Sequence, residues 1–458
     1  MSSNSKSKSE FQAKKQIYLE TLGCAKNRVD SEIMLANLIN NGYELTPNPE
    51  SAEVIIVNTC AFLTEASEES INRILDLSDF KSEGKCQKLI ATGCLSQRYK
   101  NSLEENIPEL DGMLGSNGFE RISELVNSMY EDRERPKLNL QKKPHYKQFE
   151  EQARLLTTPH HFAYLKVSEG CSNMCSFCNI PSLRGNFSSR SVNSITGEIS
   201  NLIKMGVKEI NLISQDTSSY AKDFNNHVGL GSLLKSISKL EGDFWIRLFY
   251  CYPNTFDAET LAIIANDRRY CHYIDMPFQH INDDVLKKMN RKINRKNIEA
   301  KIFEINESLP DVALRTTFIV GFPTETEDNF EELLEFVTEG HFQHVGVFVY
   351  SHEDNIRSAK WGDPVPNKLK HERRKRLMEA QQKVSRLRNN AYIGRKVKVL
   401  VDGISDESDL LLQGRSEFQG PDVDGLVYIN EGVTRPGTFA NVEITEAHTY
   451  DLIGRIIK

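Results

Sequence analysis

Along residues 16–130, apolar and polar positions repeat one arrangement three times: a short apolar run, a turn carrying a cysteine, then an amphipathic helical stretch. The runs are "IYLETLGC", "VIIVNTC" and "KLIATGC", ending at Cys24, Cys60 and Cys94. Strand runs alternating with helical periods predict a parallel α/β sheet. In such sheets ligands collect beyond the carboxyl ends of the strands. Three cysteines at equivalent ends can therefore converge, although they lie 36 and 34 residues apart. Buried structural thiols are the plain alternative for any one of them. Cys86 precedes its strand and falls outside the pattern.

A second series begins with "FAYLKVSEGC" and continues with strand runs at 208–214, 245–250, 273–278, 314–321 and 344–350. Helical periods separate them, among them "TETEDNFEELLEFVTEG", for which Thr324 is the expected N-cap. Six such units predict an incomplete parallel barrel of the TIM type, with its site at the C-terminal strand ends. Near residue 390 a charged helical stretch gives way to short alternating apolar runs, a small β domain. The polar stretch 131–156, with two prolines, reads as a linker, and residues 1–15 as a disordered tail. The expected order is a tail (1–15), an N-terminal α/β domain (16–130), a linker (131–156), a central barrel (157–390) and a C-terminal β-barrel (391–458).

Composition sharpens this picture at two points. No apolar run approaches membrane-spanning length, and the polar, basic start has no signal-peptide core. A cytoplasmic location follows, where thiols stay reduced, so the nine cysteines do not imply a disulfide framework. The charge of residues 391–458 is the second point: seven Lys and Arg stand against eleven Asp and Glu. An RNA-gripping barrel should present a basic face, whereas an acidic one suits a basic protein. The helix 367–390 is basic, however, and reads either as a nucleic-acid contact or as a solvated helix packed on the barrel.

The sharpest chemistry is "EGCSNMCSFCNIP", with Cys171, Cys175 and Cys178 inside eight positions. Structural zinc normally takes four ligands, and no cysteine or histidine follows closely enough to complete such a site. Closely spaced thiolates also hold iron–sulfur clusters. Three of them on a four-iron cluster leave one iron open for a substrate or cofactor. Placement after a first barrel strand makes that reading strong. The histidines show no metal spacing, Cys251 and Cys271 read as ordinary thiols, and no P-loop or dinucleotide fingerprint occurs.

These residues resemble the radical S-adenosylmethionine (SAM) enzymes. The three-cysteine N-terminal segment joined to that core resembles the methylthiotransferases, and residues 391–458 resemble their TRAM domain. "LGCAKNRVDSE", "NTCAFLTEASEES", "EGCSNMCSFCNIPSLRGNFSSRS", "WIRLFYCYP" and "GVFVYSHEDNIRSA" are similar to the branch acting on ribosomal protein S-12. The tRNA-modifying branch shows "LGCQMN" where this chain has "LGCAKN"; Ala25 also departs from the proline expected in the protein-modifying branch, leaving the cysteine undisturbed.

The resemblance implies two 4Fe–4S clusters, one on Cys171, Cys175 and Cys178 and one on Cys24, Cys60 and Cys94. It implies S-adenosylmethionine as methyl donor and as source of a 5′-deoxyadenosyl radical, chemistry carried by the cofactors. The implied reaction is β-methylthiolation of an aspartate of ribosomal protein S-12, with an electron donor such as flavodoxin and a sulfur source as partners. Methylthiolation of a tRNA adenosine is the alternative, and a non-enzymatic iron–sulfur or zinc protein a third. Phe177 matches the aromatic near adenine, with loop packing as the alternative. Glu198 matches the acid that receives the methionine amino group, or is a first-turn glutamate favoured by the helix dipole. "IVGFP", with Gly321 and Pro323, reads as a tight turn along the cofactor or an ordinary βα turn.

Overall fold

The computed structural model describes residues 14–131, 137–138, 140, 153–225, 229–353 and 355–457. Residues 1–13 and most of the expected linker lie outside the described residues. The chain divides into two compact units: the described residues up to 140 with 153–155, and those from 156 onwards. No helix among the described residues is long and apolar enough to cross a membrane.

The first unit is a parallel sheet of β1 (Gln16–Thr21), β2 (Glu44–Leu45), β3 (Val54–Thr59), β4 (Lys88–Gly93), β5 (Gly112–Gly115) and β6 (Lys137–Leu138), in the order β2-β1-β3-β4-β5-β6. The sequence pattern marks three of the four interior strands, β1, β3 and β4; the apolar runs of β3 and β4 are buried on both faces, whereas β1 is largely half-buried. The two-residue edge strands are too short to carry a period. Helices α1 (Ala25–Asn40), α2 (Thr64–Ser78), α3 (Phe80–Glu83), α4 (Cys94–Asn106) and α5 (Ile122–Glu131) make the crossovers.

In the second unit, β7 (Phe162–Lys166), the antiparallel pair β8 (Ser168–Glu169) and β9 (Ser188–Ser189), β10 (Glu209–Ile213), β11 (Trp245–Leu248), β12 (Tyr270–Asp275), β13 (Ala313–Val320) and β14 (His344–Val349) precede the C-terminal barrel. The parallel sheet runs β14-β13-β12-β11-β10-β7. Its ends do not pair, so the barrel is incomplete, as expected. The fourth strand starts three residues earlier than its expected range because "YCHYID", not "YIDMPF", pairs with its neighbours. Helices α6 (Ile180–Arg184), α7 (Val192–Lys204), α8 (Leu230–Ile237), α9 (Ala258–Asn266), α10 (Asp283–Lys288), α11 (Arg295–Ser308), α12 (Glu327–Thr338) and α13 (Asn367–Asn390) complete the unit.

Helix α12 is capped by Thr326, not Thr324: the Asn329 amide donates to Thr326 Oγ1 (3.2 Å), and the Thr326 amide to Asn329 Oδ1 (3.0 Å). A reciprocal box wins over a lone threonine two residues earlier because it satisfies two free amides at once. Glu325 between them turns inward, accepting from the Gly321 amide (2.9 Å) and pairing with Arg373 (2.9 Å). Helix α13 packs on β14 and α12, with Lys370 and Arg373 buried, while Lys368, Arg374, Lys375, Lys383 and Arg386 remain exposed.

The C-terminal segment closes a barrel of β15 (Lys396–Ser405), β16 (Ser408–Ser416), β17 (Val427–Glu431), β18 (Phe439–Ala447) and β19 (Leu452–Ile456). It packs where the strands of the parallel sheet begin. Phe439 lies 4.7 Å from Trp245, the first residue of β11. Arg415 bonds Glu209, the first residue of β10, and Arg247 pairs with the same carboxylate (2.8 Å). Asp402 holds Arg415 (2.9 Å) and His161 (2.8 Å).

Candidate functional site

In the first unit, register brings the predicted strand ends level: Thr59 pairs with Gly93, and Thr21 with Asn58. Cys60 and Cys94 thus leave adjacent strands at the same height, spaced about 4.8 Å apart as neighbouring strands are. Cys24 comes from the third of these strands. It is exposed and is the N-cap of α1, while Cys94 is the first residue of α4. Helix N-termini carry partial positive charge and favour thiolates.

Glycines make the close approach possible. A Cβ on Gly23 (φ +86°) would lie 2.7 Å from Cys60 Cβ, and one on Gly93 (φ +93°) 2.5 Å from Asn58 Oδ1. Asn27 braces the turns, its Nδ2 donating to the carbonyls of Leu22 (2.9 Å) and Thr59 (3.0 Å). Asn58 in return donates to the Asn27 carbonyl (2.9 Å).

In the second unit, Cys171, Cys175 and Cys178 lie on the loop that leaves β8. Gly170 (φ +71°) turns the chain where a Cβ would come within 2.3 Å of the Asn186 carbonyl. The Cys171 amide donates to Gly185 (3.2 Å), and Asn173 Nδ2 to the buried Asp216 (2.7 Å). The segment after α10 holds the far side. The Ser176 amide donates to Met289 O (2.9 Å), its hydroxyl to Lys288 O (2.8 Å), and Asn290 Nδ2 to Met174 O (2.8 Å). Burial pushes the Cys171 thiol up to about 11 and the Cys178 thiol to about 12, with neighbouring Cys175 adding to both.

At the root of the loop Glu169 is buried between Lys166 (2.8 Å) and Arg184 (3.1 Å). Burial works against its charge, but the two cations outweigh it and hold the carboxyl below the usual range. Sequence reading missed this cluster, and it missed Arg291, whose Nη1 stands 3.6 Å from Cys175 Sγ. Lys166 and Arg184 lie 3 and 15 positions from Glu169, close enough to have been read, whereas Arg291 lies 116 positions from Cys175 and no local motif announces it.

The arrangement fits an iron–sulfur group on chemical grounds. Three mutually interacting thiols share one loop, and Arg291 Nε beside them is buried without a hydrogen-bond partner. Among the described residues, no three His, Cys, Asp or Glu side chains are grouped to hold a single metal ion. A multi-iron cluster binds its thiolates through different irons, so it asks for a looser grouping.

The remaining expected site residues have defined places. Phe177 packs against a cluster of Val285, Met289, Phe322 and Tyr350, which also takes in Ile319 and Trp361. Glu198 is the seventh residue of α7, beyond the first turn where the helix dipole would favour it, and its carboxylate pairs with Arg190 (2.7 Å). The Gly321 turn has φ +74°, and a Cβ there would meet Lys370 Cγ at 2.3 Å. Asp424 is not free for docking, since its carboxylate lies 3.3 Å from Arg315 and 3.5 Å from His344 and accepts from Tyr273 Oη (2.7 Å). Asp422 accepts from Tyr164 Oη (2.9 Å). A count of acids along the sequence treats every carboxylate as surface; here Asp424 serves an internal junction.

Residues 16–115 match the family described as uncharacterized protein family UPF0004, residues 165–337 the radical SAM superfamily, and residues 393–457 the TRAM domain. Among solved structures, TsrM from Kitasatospora setae, a radical S-adenosylmethionine methyltransferase with tryptophan and a SAM analog bound, is similar with TM-score 0.55 and 14% identity, covering 73% of each chain. The same enzyme with cobalamin and a [4Fe-4S] cluster bound gives TM-score 0.53 at 13% identity, covering 73% of this chain and 72% of that one. At these identities the likeness is one of fold.

Sequence relatives reach further. The ribosomal protein uS12 methylthiotransferase RimO of Geobacter sulfurreducens is 44% identical over 97% of this chain and 99% of its own. That of Bdellovibrio bacteriovorus is 44% identical over 98% and 99%, and that of Myxococcus xanthus 40% over 97% and 92%. With such identity sustained along nearly the whole length of both partners, the chain belongs to the RimO family of radical SAM methylthiotransferases.

Proposed function

We propose that this enzyme β-methylthiolates an aspartate of ribosomal protein uS12. Support for the substrate is the 44% identity to relatives of that name, sustained over 97% of this chain. In this reading Cys171, Cys175 and Cys178 hold one 4Fe–4S cluster and Cys24, Cys60 and Cys94 a second. Those groups, with S-adenosylmethionine, supply the methyl group, the sulfur chemistry and the radical that activates the target carbon.

The chain's own part is to bind and orient. Gly170 and the 288–290 segment fix the course of the loop that carries the three thiols. Because the Cys171 and Cys178 thiols are held protonated by burial, loading iron there releases protons. Phe177 offers an apolar face for the adenine, backed by Met289 and Phe322. Glu198 would receive the methionine amino group by sharing its carboxylate with Arg190.

The test is mass spectrometry of uS12 and of tRNA from cells lacking this protein. Loss of the methylthio group from the uS12 aspartate, with 2-methylthioadenosine in tRNA retained, is the expected result. The reverse pattern assigns the enzyme to tRNA instead.

A further inference from the structure

Arg291 is buried, 8% exposed, its Nε has no hydrogen-bond partner, and no ion pair to it is found among the described residues. A buried guanidinium without a counter-charge is costly, so its surroundings should supply one. Nη2 donates to the Pro277 carbonyl (2.6 Å), and the guanidinium lies 4.2 Å from the centre of the Tyr252 ring. These two contacts aim Nη1 at Cys175 Sγ, 3.6 Å away, within reach for a hydrogen bond to sulfur. The adjacent Asn290 is in the left-handed region (φ +56°) and ties the same segment to Met174.

We propose that Arg291 is a positioning residue whose fixed cation orients the Cys175 sulfur and raises the reduction potential of the iron–sulfur group on that loop. The inference rests on the cluster assignment above. Thiolates are the anion that the geometry presents to this arginine once iron is bound. Adding an electron makes the bound group more negative, and a nearby fixed cation donating N–H to sulfur stabilises that state. Lysine would keep the charge but lose the planar fork that also grips Pro277.

The experiment uses the full chain carrying Cys24→Ala, Cys60→Ala and Cys94→Ala, so that only the barrel loop can hold a cluster. Reconstituted protein is reduced stepwise with dithionite and followed by electron paramagnetic resonance. Arg291→Met should lower the midpoint so that the reduction equilibrium falls tenfold or more, about 59 mV for one electron. Arg291→Lys should stay nearer the parent. If Arg291→Met holds no iron, Arg291→Gln carries the same comparison, with its midpoint expected below that of the lysine variant. Unchanged midpoints in the loaded fraction, with only iron content or melting temperature altered, overturn the proposal and leave Arg291 a structural clamp. Absence of any reducible cluster in the parent, before Arg291 is touched, overturns the cluster assignment itself and the proposal with it.

Discussion

Arg315 on β13 and Asp424 of the C-terminal barrel stand 3.3 Å apart, with the Asp424 side chain only 2% exposed. Asp275 takes another edge of the same guanidinium at 3.1 Å, and Tyr273 donates to Asp424 at 2.7 Å. One carboxylate thus fastens the small barrel to three strands of the large one, β12, β13 and β14, the last through His344.

Removing that carboxylate should therefore unfasten the junction rather than weaken substrate capture. Breaking a buried pair by deleting one partner costs about 3–5 kcal/mol. Asp424→Ala should lower the melting temperature measurably, and Asp424→Lys should lower it further. Burial opposes the charge on Asp424, but His344, Arg315 and Tyr273 overcome it and depress its folded-state pKa. Its stabilisation is thus complete above the unfolded carboxylate value, about 3.9, and is lost as pH falls through the lower folded value. Acid unfolding of the parent should be steeper in that range than that of Asp424→Ala. Equal slopes refute this assignment.

Substrate docking should fall to acids that remain exposed, among them Asp406, Glu407, Asp409 and Glu431. Charge reversal to Lys at these four should weaken binding to basic uS12, read by titration, without lowering the melting temperature. Binding by the parent should weaken as salt rises, since exposed charges are screened over about 8 Å at physiological ionic strength. Salt-independent binding would count against an electrostatic surface.

Replacing Cys171, Cys175 or Cys178 with Ala should abolish 5′-deoxyadenosine formation from S-adenosylmethionine, measured by chromatography. Undiminished product from any of the three removes that residue from the cluster.

The N-terminal triplet should behave differently. Cys24→Ala, Cys60→Ala and Cys94→Ala together should leave cleavage of S-adenosylmethionine largely intact and abolish methylthio transfer, scored by mass spectrometry of the product. A triple variant that still transfers sulfur would make these cysteines structural thiols.

Gly170→Ala tests the loop itself. Its added Cβ would overlap the Asn186 carbonyl at 2.3 Å in a left-handed conformation. With one cluster on each unit, as proposed, iron per chain should fall by about half. Full iron content would show that the loop tolerates the shift.

Much of this was legible in one dimension because it is periodic or local. Apolar runs buried on both faces announce the central strands of both sheets, and Cys171, Cys175 and Cys178 announce themselves by spacing. That Cys24, Cys60 and Cys94 follow neighbouring strands was legible because a parallel α/β arrangement puts successive strand ends on one side, whatever the loops between them do. The two-residue strands β2 and β6 were not, since two residues carry no period. Tertiary structure alone decided which charges face water. Asp424 counts with Glu431 in a sum along the chain, yet Arg315, over 100 residues earlier, draws it into a contact where its side chain is 2% exposed. The same holds for Arg291, 116 positions from the cysteine that its guanidinium faces. Burial and pairing are relations between distant residues, and they exist only once the strands between them have closed the distance.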